Sequence, residues 1–284
     1  MRADIADLIE RVTGRRPSAM RPLSGGCVAD VVRVSLAGGG DVVAKLGDAG
    51  SGLALEGFML EYLAAHSGLP VPAVLHASDA MLLLEYLPSD GRIDGKAEIH
   101  AANLVAALHD VTTERFGFGR DTVIGGLAQP NPWTESWRDF FRDRRLLHMA
   151  GEATAAGRLP AATMHRIDRL AGRLPEWIDD GAAPSLVHGD MWGGNVLVVE
   201  GRVTGFIDPA IHYADAEIEL AFTTLFNTFS DTFFARYREH RAIRPGFFEA
   251  RRDLYNLYPL LVHVRLFGGS YVGSVGRTLE RFGC

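Results

Sequence analysis

The sequence predicts an α+β chain in two lobes, a small antiparallel sheet with one main helix ahead of a larger, mostly helical part. Three observations carry this. Short apolar and β-branched runs between glycine and proline turns fill positions 1–87. Apolar residues at helical spacing dominate after Pro88. One apolar hairpin, at 196–207, interrupts those helices directly behind a loop that holds an aspartate and an asparagine.

The opening MRADIADLIERVTG places Ile5, Leu8, Ile9 and Val12 on one helical face, with Gly14 as the stop. This is amphipathic and lacks the continuous apolar region of a signal peptide. Val31 to Leu36 is a strand, Ala37-Gly38-Gly39-Gly40-Asp41 its hairpin turn, and Val42 to Leu46 the return strand. After the glycine- and serine-rich stretch at 47–52, a helix carries Glu56, Leu60 and Leu63 on one face, and Leu69-Pro70-Val71-Pro72 ends it. Val74 to His76 and Met81 to Leu87 are two further strands. Pro88-Ser89-Asp90-Gly91 is the expected boundary, giving lobes at 1–87 and 88–284. Beyond it, Ala101, Leu104, Val105 and Leu108 form one helical stripe, and Trp137, Phe140, Phe141 and Arg144 another. Val196 to Val199 and Val203 to Ile207 flank the turn Glu200-Gly201-Arg202.

Composition removes several function classes. With 284 residues and 47% hydrophobic content the chain can bury a substantial core. A formal net charge of −6 without a lysine or arginine cluster argues against nucleic acid and membrane surfaces as partners. MLLLEYL is the strongest apolar run and is too short to span a bilayer. Cys27 and Cys284 make no disulfide framework, so a reducing, cytoplasmic setting is expected, with a monomer or weak dimer.

The chemistry is written in LVHGDMWGGNVLV, from Leu186 to Val198. Asp190 and Asn195 are five residues apart, the interval of the phosphoryl-transfer loop H-R-D-x-x-x-x-N. There the aspartate takes or orients the acceptor hydroxyl and the asparagine holds magnesium. A second magnesium ligand should close the following hairpin, and Ile207-Asp208-Pro209 supplies it. Upstream, Lys45 in Val-Val-Ala-Lys matches the strand lysine that holds ATP phosphates, and Glu56 on the next helix is its expected partner. Gly25, Gly26 and Cys27 in Leu23-Ser24-Gly25-Gly26-Cys27 can serve as the phosphate loop, although G-x-G-x-x-G is absent. Glu85 and Leu87, at the end of the last sheet strand, are further nucleotide-binding candidates.

Each piece alone has an ordinary structural explanation: an edge-strand lysine, an exposed helix charge, a plain glycine turn, an Asp-Pro turn. Five in the right order, each on the right kind of element, point to phosphoryl transfer with ATP and Mg2+ as cofactors and Asp190 as base. A pseudokinase would be expected to have lost one of Lys45, Asp190, Asn195 or Asp208, and all four stand. Few residues separate Asp208 from a helix starting near Ala216, and there is no A-P-E, so no peptide platform fits. The acceptor should be a small group, free or displayed on a protein surface. Trp192 reads as loop packing or as a sugar-stacking wall. Trp137 reads as core, His188 as a brace for the loop, and His212 and Tyr213 as candidates for the sugar pocket. Cys27 reads as a small apolar filler or a redox-sensitive thiol.

HGDMWGGN followed by FIDPAIHYADAEIELA resembles the aminoglycoside phosphotransferase and choline kinase superfamily, which has the protein-kinase-like fold. Five segments are similar to the fructosamine-3-kinase (ketosamine kinase) family: LSGGCVADV, LHDVTTERFGFGRDTVIGGLAQPN, HGDMWGGN, DPAIHYADAE and LYNLYPLLVHVRLFGGSY. The resemblance covers nearly the whole chain. It implies ATP-dependent phosphorylation of the third-carbon hydroxyl of a ketosamine, on a free amine or a glycated protein side chain. The ester then eliminates and releases the amine, which is deglycation. An aminoglycoside, an amino alcohol or a sugar is the alternative acceptor on the same scaffold. The chain departs from the family at Glu219, usually aspartate, and at Pro259, where a helix kink is expected.

Overall fold

The computed structural model describes residues 3–23, 30–48 and 50–284. Helix α1 (Ala3–Thr13) ends at Gly14, which takes a positive φ and returns its amide to Glu10. Strands β1 (Pro17–Pro22), β2 (Asp30–Leu36) and β3 (Asp41–Leu46) follow, then α2 (Leu53–His66), β4 (Val74–Ala77) and β5 (Met81–Glu85). The five strands form one antiparallel sheet in the order β1-β2-β3-β5-β4. Strand β1 was not expected from the sequence, because PSAMRP carries two prolines. It lies at the sheet edge with the prolines at its two ends, where a missing ladder donor is tolerated. The MLLLE run does not alternate because β5 is buried on both faces. Met81 and Leu83 pack with Ile9, Val34 and Ala44, whereas Leu82 and Leu84 pack with Leu53 and Leu60 of α2. The strand stops at Glu85, two residues short of the expected Leu87.

The remainder is largely helical. Helix α3 (Gly95–His109) starts at Asp94, whose carboxylate accepts the Lys96 and Ala97 amides. A small hairpin, β6 (Thr122–Ile124) and β7 (Leu127–Gln129), turns through Gly125 and Gly126. Helices α4 (Trp137–Phe140), α5 (Leu147–Ala155) and α6 (Ala161–Arg173) follow, the first two joined by a wide π-type turn at Phe141–Leu146. Strand β8 (Pro184–Val187) leads into the Asp190 loop, and β9 (Val196–Val199) and β10 (Arg202–Phe206) are the expected hairpin. Strand β11 (His212–Asp215) returns antiparallel to β8. Helices α7 (Glu217–Leu225), α8 (Asp231–His240), α9 (Arg252–Phe267) and α10 (Ser270–Arg281) complete the chain. Helix α9 continues through Pro259. Among the described residues no helix is long and apolar enough to cross a membrane.

One large core joins these helices, and Trp137 is fully buried within it. Met59 and Leu63 of α2, and Leu69 behind it, belong to that core rather than to the sheet. Helix α2 therefore packs on both lobes. Beneath the core, the buried carboxylates of Asp215 and Glu217 are matched by arginines. Arg251 donates to Glu217 at 2.6 Å, Arg244 pairs with Asp215, and the Tyr255 hydroxyl reaches Asp215 at 2.9 Å. Trp137 in turn donates its indole N–H to Tyr255 at 2.9 Å.

Gly57, beside Glu56, sits where α2 touches β4. A Cβ there would lie 2.6 Å from the Ala77 Cβ, which is fixed to the backbone. Gly57→Ala should therefore lower stability by about 1–3 kcal/mol, overriding the roughly 1 kcal/mol that alanine adds in a helix. The measurement is the urea midpoint, and a variant as stable as the parent or more so would show that the contact yields.

Candidate active site

Lys45 stands near the end of β3, paired across the sheet with Val31 and Leu82. Its side chain is buried, and its ammonium is 2.6 Å from Glu56 Oε1 and also contacts Asp208. Burial opposes this charge, but the two carboxylates outweigh it and hold the pKa above that of an ordinary lysine. Glu56 is pushed up from its usual range by its burial, against the pull of Lys45.

Asp208 reaches Lys45 from the far end of the β9–β10 hairpin. Its φ of 56° is left-handed, rare for a non-glycine residue and least expected before a proline. Such a conformation costs about 1–3 kcal/mol and persists where the surroundings impose it. Here it comes with a carboxylate turned into the cleft against Lys45.

Asp190 and Asn195 face each other across the loop after β8. Asn195 donates through Nδ2 to the Asp190 carbonyl at 2.8 Å and to its Oδ2 at 3.2 Å. Burial, then the charge of Asp208, pushes the Asp190 carboxyl up to about 8. Neutralising Asp208 with a cation would relieve the second cause. Because Nδ2 is engaged, the Asn195 carboxamide oxygen is the end left to accept a cation. Two hard oxygen donors from Asn195 and Asp208, with Asp190 close by, suit Mg2+, which keeps waters and phosphate oxygens for its remaining positions. The residues thus fit the group.

The loop is held from behind. Gly189 has a φ of 86°, and a Cβ on it would lie 2.2 Å from the Ala210 carbonyl oxygen, so only glycine fits. Glu219 of α7 accepts the Gly189 amide at 2.7 Å through Oε1 and pairs with His109 Nε2 at 3.0 Å through Oε2. His109 Nδ1 lies 2.7 Å from the Tyr237 hydroxyl. Burial opposes the charge of Glu219, but His109 and the Gly189 amide outweigh it and keep the carboxyl below its ordinary 4.5. His188 is fully buried, accepts the Asp190 amide on Nδ1 at 3.4 Å, and is kept neutral by burial.

Lys45, Glu56, Asp190, Trp192, Asn195 and Asp208 all line one cleft. Other predicted residues lie elsewhere. Glu85 points outward, its carboxylate accepting the Ala73 amide at 3.3 Å, and Leu87 packs over Gly205; neither lines this cleft. His212 is 1% exposed, stacked on Phe140 and held to the Ala210 carbonyl, so it is a core residue rather than a sugar-pocket wall. Tyr213 is also buried, its hydroxyl 3.0 Å from that of Tyr62 rather than in the cleft. Gly25, Gly26 and Cys27 lie outside the described residues. Sequence reasoning missed another part of the cleft lining, where Gly125, Gly126, Phe222, His263 and Phe267 join Trp192. These come from three distant segments, and each reads locally as turn or helix filler.

Glu219→Ala would leave the Gly189 amide and His109 Nε2 without a partner in a fully buried place. The expected loss is about 2–5 kcal/mol of stability together with reduced turnover, read from urea unfolding and rates. Because the folded pKa is lowered, the stabilisation by Glu219 is complete above the ordinary 4.5 and fades as pH falls below it through the folded value. Wild type and Glu219→Gln should differ most near neutral pH and converge in acid. A gap that widens in acid would reverse the assignment.

Comparison with known proteins bears on the family and the fold. A Synechocystis protein named "probable ketoamine kinase" is 36% identical over 98% of this chain and 95% of its own length. A Thermobifida fusca crystal structure described as a candidate fructosamine-3-kinase superposes with a TM-score of 0.86 at 29% identity, covering 98% of this chain and 97% of that one. An aminoglycoside phosphotransferase in complex with ADP and hygromycin B shares the fold alone, at a TM-score of 0.67 and 17% identity over 97% of both chains. A sequence model of the fructosamine kinase family matches residues 1–282. With its protein-kinase-like fold, this chain belongs to the fructosamine kinase family and is a kinase.

Proposed function

We propose that the protein transfers the γ-phosphoryl group of ATP, with Mg2+, to the third-carbon hydroxyl of a ketosamine. The observation that carries this is the convergence on one cleft of a buried Lys45–Glu56 pair, Asp208, Asn195 and the buried carboxyl of Asp190. Lys45 grips the phosphates, and Glu56 keeps its ammonium in place. Mg2+, held by Asn195 and Asp208, would neutralise charge on the phosphates. Asp190 receives the hydroxyl proton, its carboxylate aimed by the Asn195 amide. Loss of a proton from the first carbon gives an enaminol across the first and second carbons, which expels phosphate from the third, and water then hydrolyses the resulting imine to free the amine and leave a deoxydicarbonyl sugar. Deglycation of a free amine or a protein side chain is the outcome.

A small acceptor is favoured by the path after Asp208. Those residues go directly into β11, which is hydrogen-bonded to β8, and then into α7, so no peptide platform is built there. The decisive experiment offers a synthetic fructosamine, a ribulosamine, a panel of aminoglycosides and choline with Mg-ATP. Phosphate transfer to the ketosamines, followed by amine release, is expected. Transfer to the aminoglycosides or choline alone would overturn the reading.

Asp190→Asn should lower kcat by about 10²–10⁴-fold with nucleotide affinity little changed. Turnover within a few-fold of the parent would remove Asp190 from this role. Asp208→Ala should abolish the Mg2+ dependence of nucleotide binding, measured by titration with and without the metal. Retained metal dependence would place the cation elsewhere.

A further inference from the structure

We propose that Tyr62 and Tyr213 bolt α2 to the large lobe, so that both are positioning residues acting on nucleotide binding through Glu56 and Lys45. The proposal rests on the reading that Lys45 grips the nucleotide phosphates.

Helix α2 has two tasks. It must hold Glu56 against Lys45 at 2.6 Å, and it must keep that pair in register with a loop in the other lobe. Its apolar contacts to the large core, through Met59 and Leu63, are non-directional and do not fix rotation about the helix axis. The stripe Phe58, Tyr62 and His66, at four-residue spacing, does. The Tyr62 ring meets Phe118 edge-on, with centroids 4.8 Å apart at 81°, and stacks on His66 at 4.0 Å. Phe58 leans on Phe118 at 6.2 Å under the Arg120 guanidinium, which sits 4.7 Å from its ring. The Tyr62 hydroxyl then makes the one directional polar contact, 3.0 Å from the Tyr213 hydroxyl.

Tyr213 is itself rigidly held. Its backbone exchanges two hydrogen bonds with Gly117, at 2.8 and 2.9 Å, and it stands opposite Leu186 in the β8–β11 pair. Four residues after Leu186 the same strand has become the Asp190 loop. Tyr62 lies six residues after Glu56, about 9 Å along one stiff helix. The bond between the tyrosines thus ties the helix that carries Glu56 to the strand that carries Asp190 toward the cleft. Packing alone would need only phenylalanine at these positions. Among the described residues Tyr62 is the sole hydrogen-bond partner of the Tyr213 hydroxyl.

The test measures the dissociation constant of a non-hydrolysable Mg-ATP analogue, which needs no acceptor, and the KM of a ketosamine. Tyr62→Phe and Tyr213→Phe keep the rings and should each weaken nucleotide binding about threefold; Tyr62→Ala should weaken it roughly tenfold. The acceptor KM should move less than the nucleotide constant in every case. In a Glu56→Gln background, already weakened for nucleotide, Tyr62→Phe and Tyr62→Ala should add no further loss, because their route runs through Glu56. Additive losses, an equal shift of both constants, unchanged affinity in the two phenylalanine variants, or a Glu56→Gln variant that binds like the parent would each overturn the proposal. If Tyr62→Ala fails to fold, the phenylalanine variants decide. Absence of ketosamine turnover in the parent, with the nucleotide coupling intact, would strike the proposed acceptor and leave the bolt standing.

Discussion

A single buried ammonium organises this protein. Lys45 comes from the sheet, Glu56 from α2 and Asp208 from the end of the β9–β10 hairpin, and all three meet. An isolated ammonium at this depth would cost several kcal/mol, so the lysine can be buried only if both carboxylates arrive. The sheet, the helix and the hairpin must therefore be placed together. The left-handed φ of Asp208 is a local expense of that arrangement.

The catalytic loop faces the opposite problem, a carboxylate that must stay buried and aimed. Burial and Asp208 both raise the Asp190 carboxyl. Among the described residues the one donor to that carboxylate is Asn195, and Glu219, whose charge also raises it, holds the loop from behind by accepting the Gly189 amide while His109 engages its other oxygen. The loop is thereby tied to α7 and, through His109, to α3, and both helices are anchored in the large core.

The rest of the cleft is built on a different logic. Asp208 is followed at once by Pro209, β11 and α7, which closes the space a peptide-binding platform would occupy. What remains is a pocket edged by Trp192, Phe222, His263 and Phe267, with the Gly125-Gly126 turn above it. Burial lowers the His263 pKa, so the ring is neutral, and its Nδ1 lies 2.7 Å from the Pro259 carbonyl. Under the proposed function, these flat apolar faces with one neutral polar ring would receive a small polyhydroxylated amine.

The polar residues that converge on the cleft were legible in the sequence because each sits on a local signal. Lys45 lies in an alternating strand, Glu56 on a helical face, and Asp190, Asn195 and Asp208 around a glycine turn and an apolar hairpin. The two-part α+β division was legible for the same reason, since periods of 2 and 3.6 are local properties. Strand β1 and the β8–β11 pair were not. Pro17 and Pro22 speak against a strand until an edge position is known, and four-residue runs such as PSLV and HYAD become strands only when each finds the other. The placement of His212 and Tyr213 could not be read either. Neighbours in a strand point to opposite faces, and which face meets the cleft depends on what packs there. Only tertiary structure decided that His212 enters the core, that Tyr213 meets Tyr62, and that α2 belongs to both lobes, because each is a contact between segments far apart in the chain.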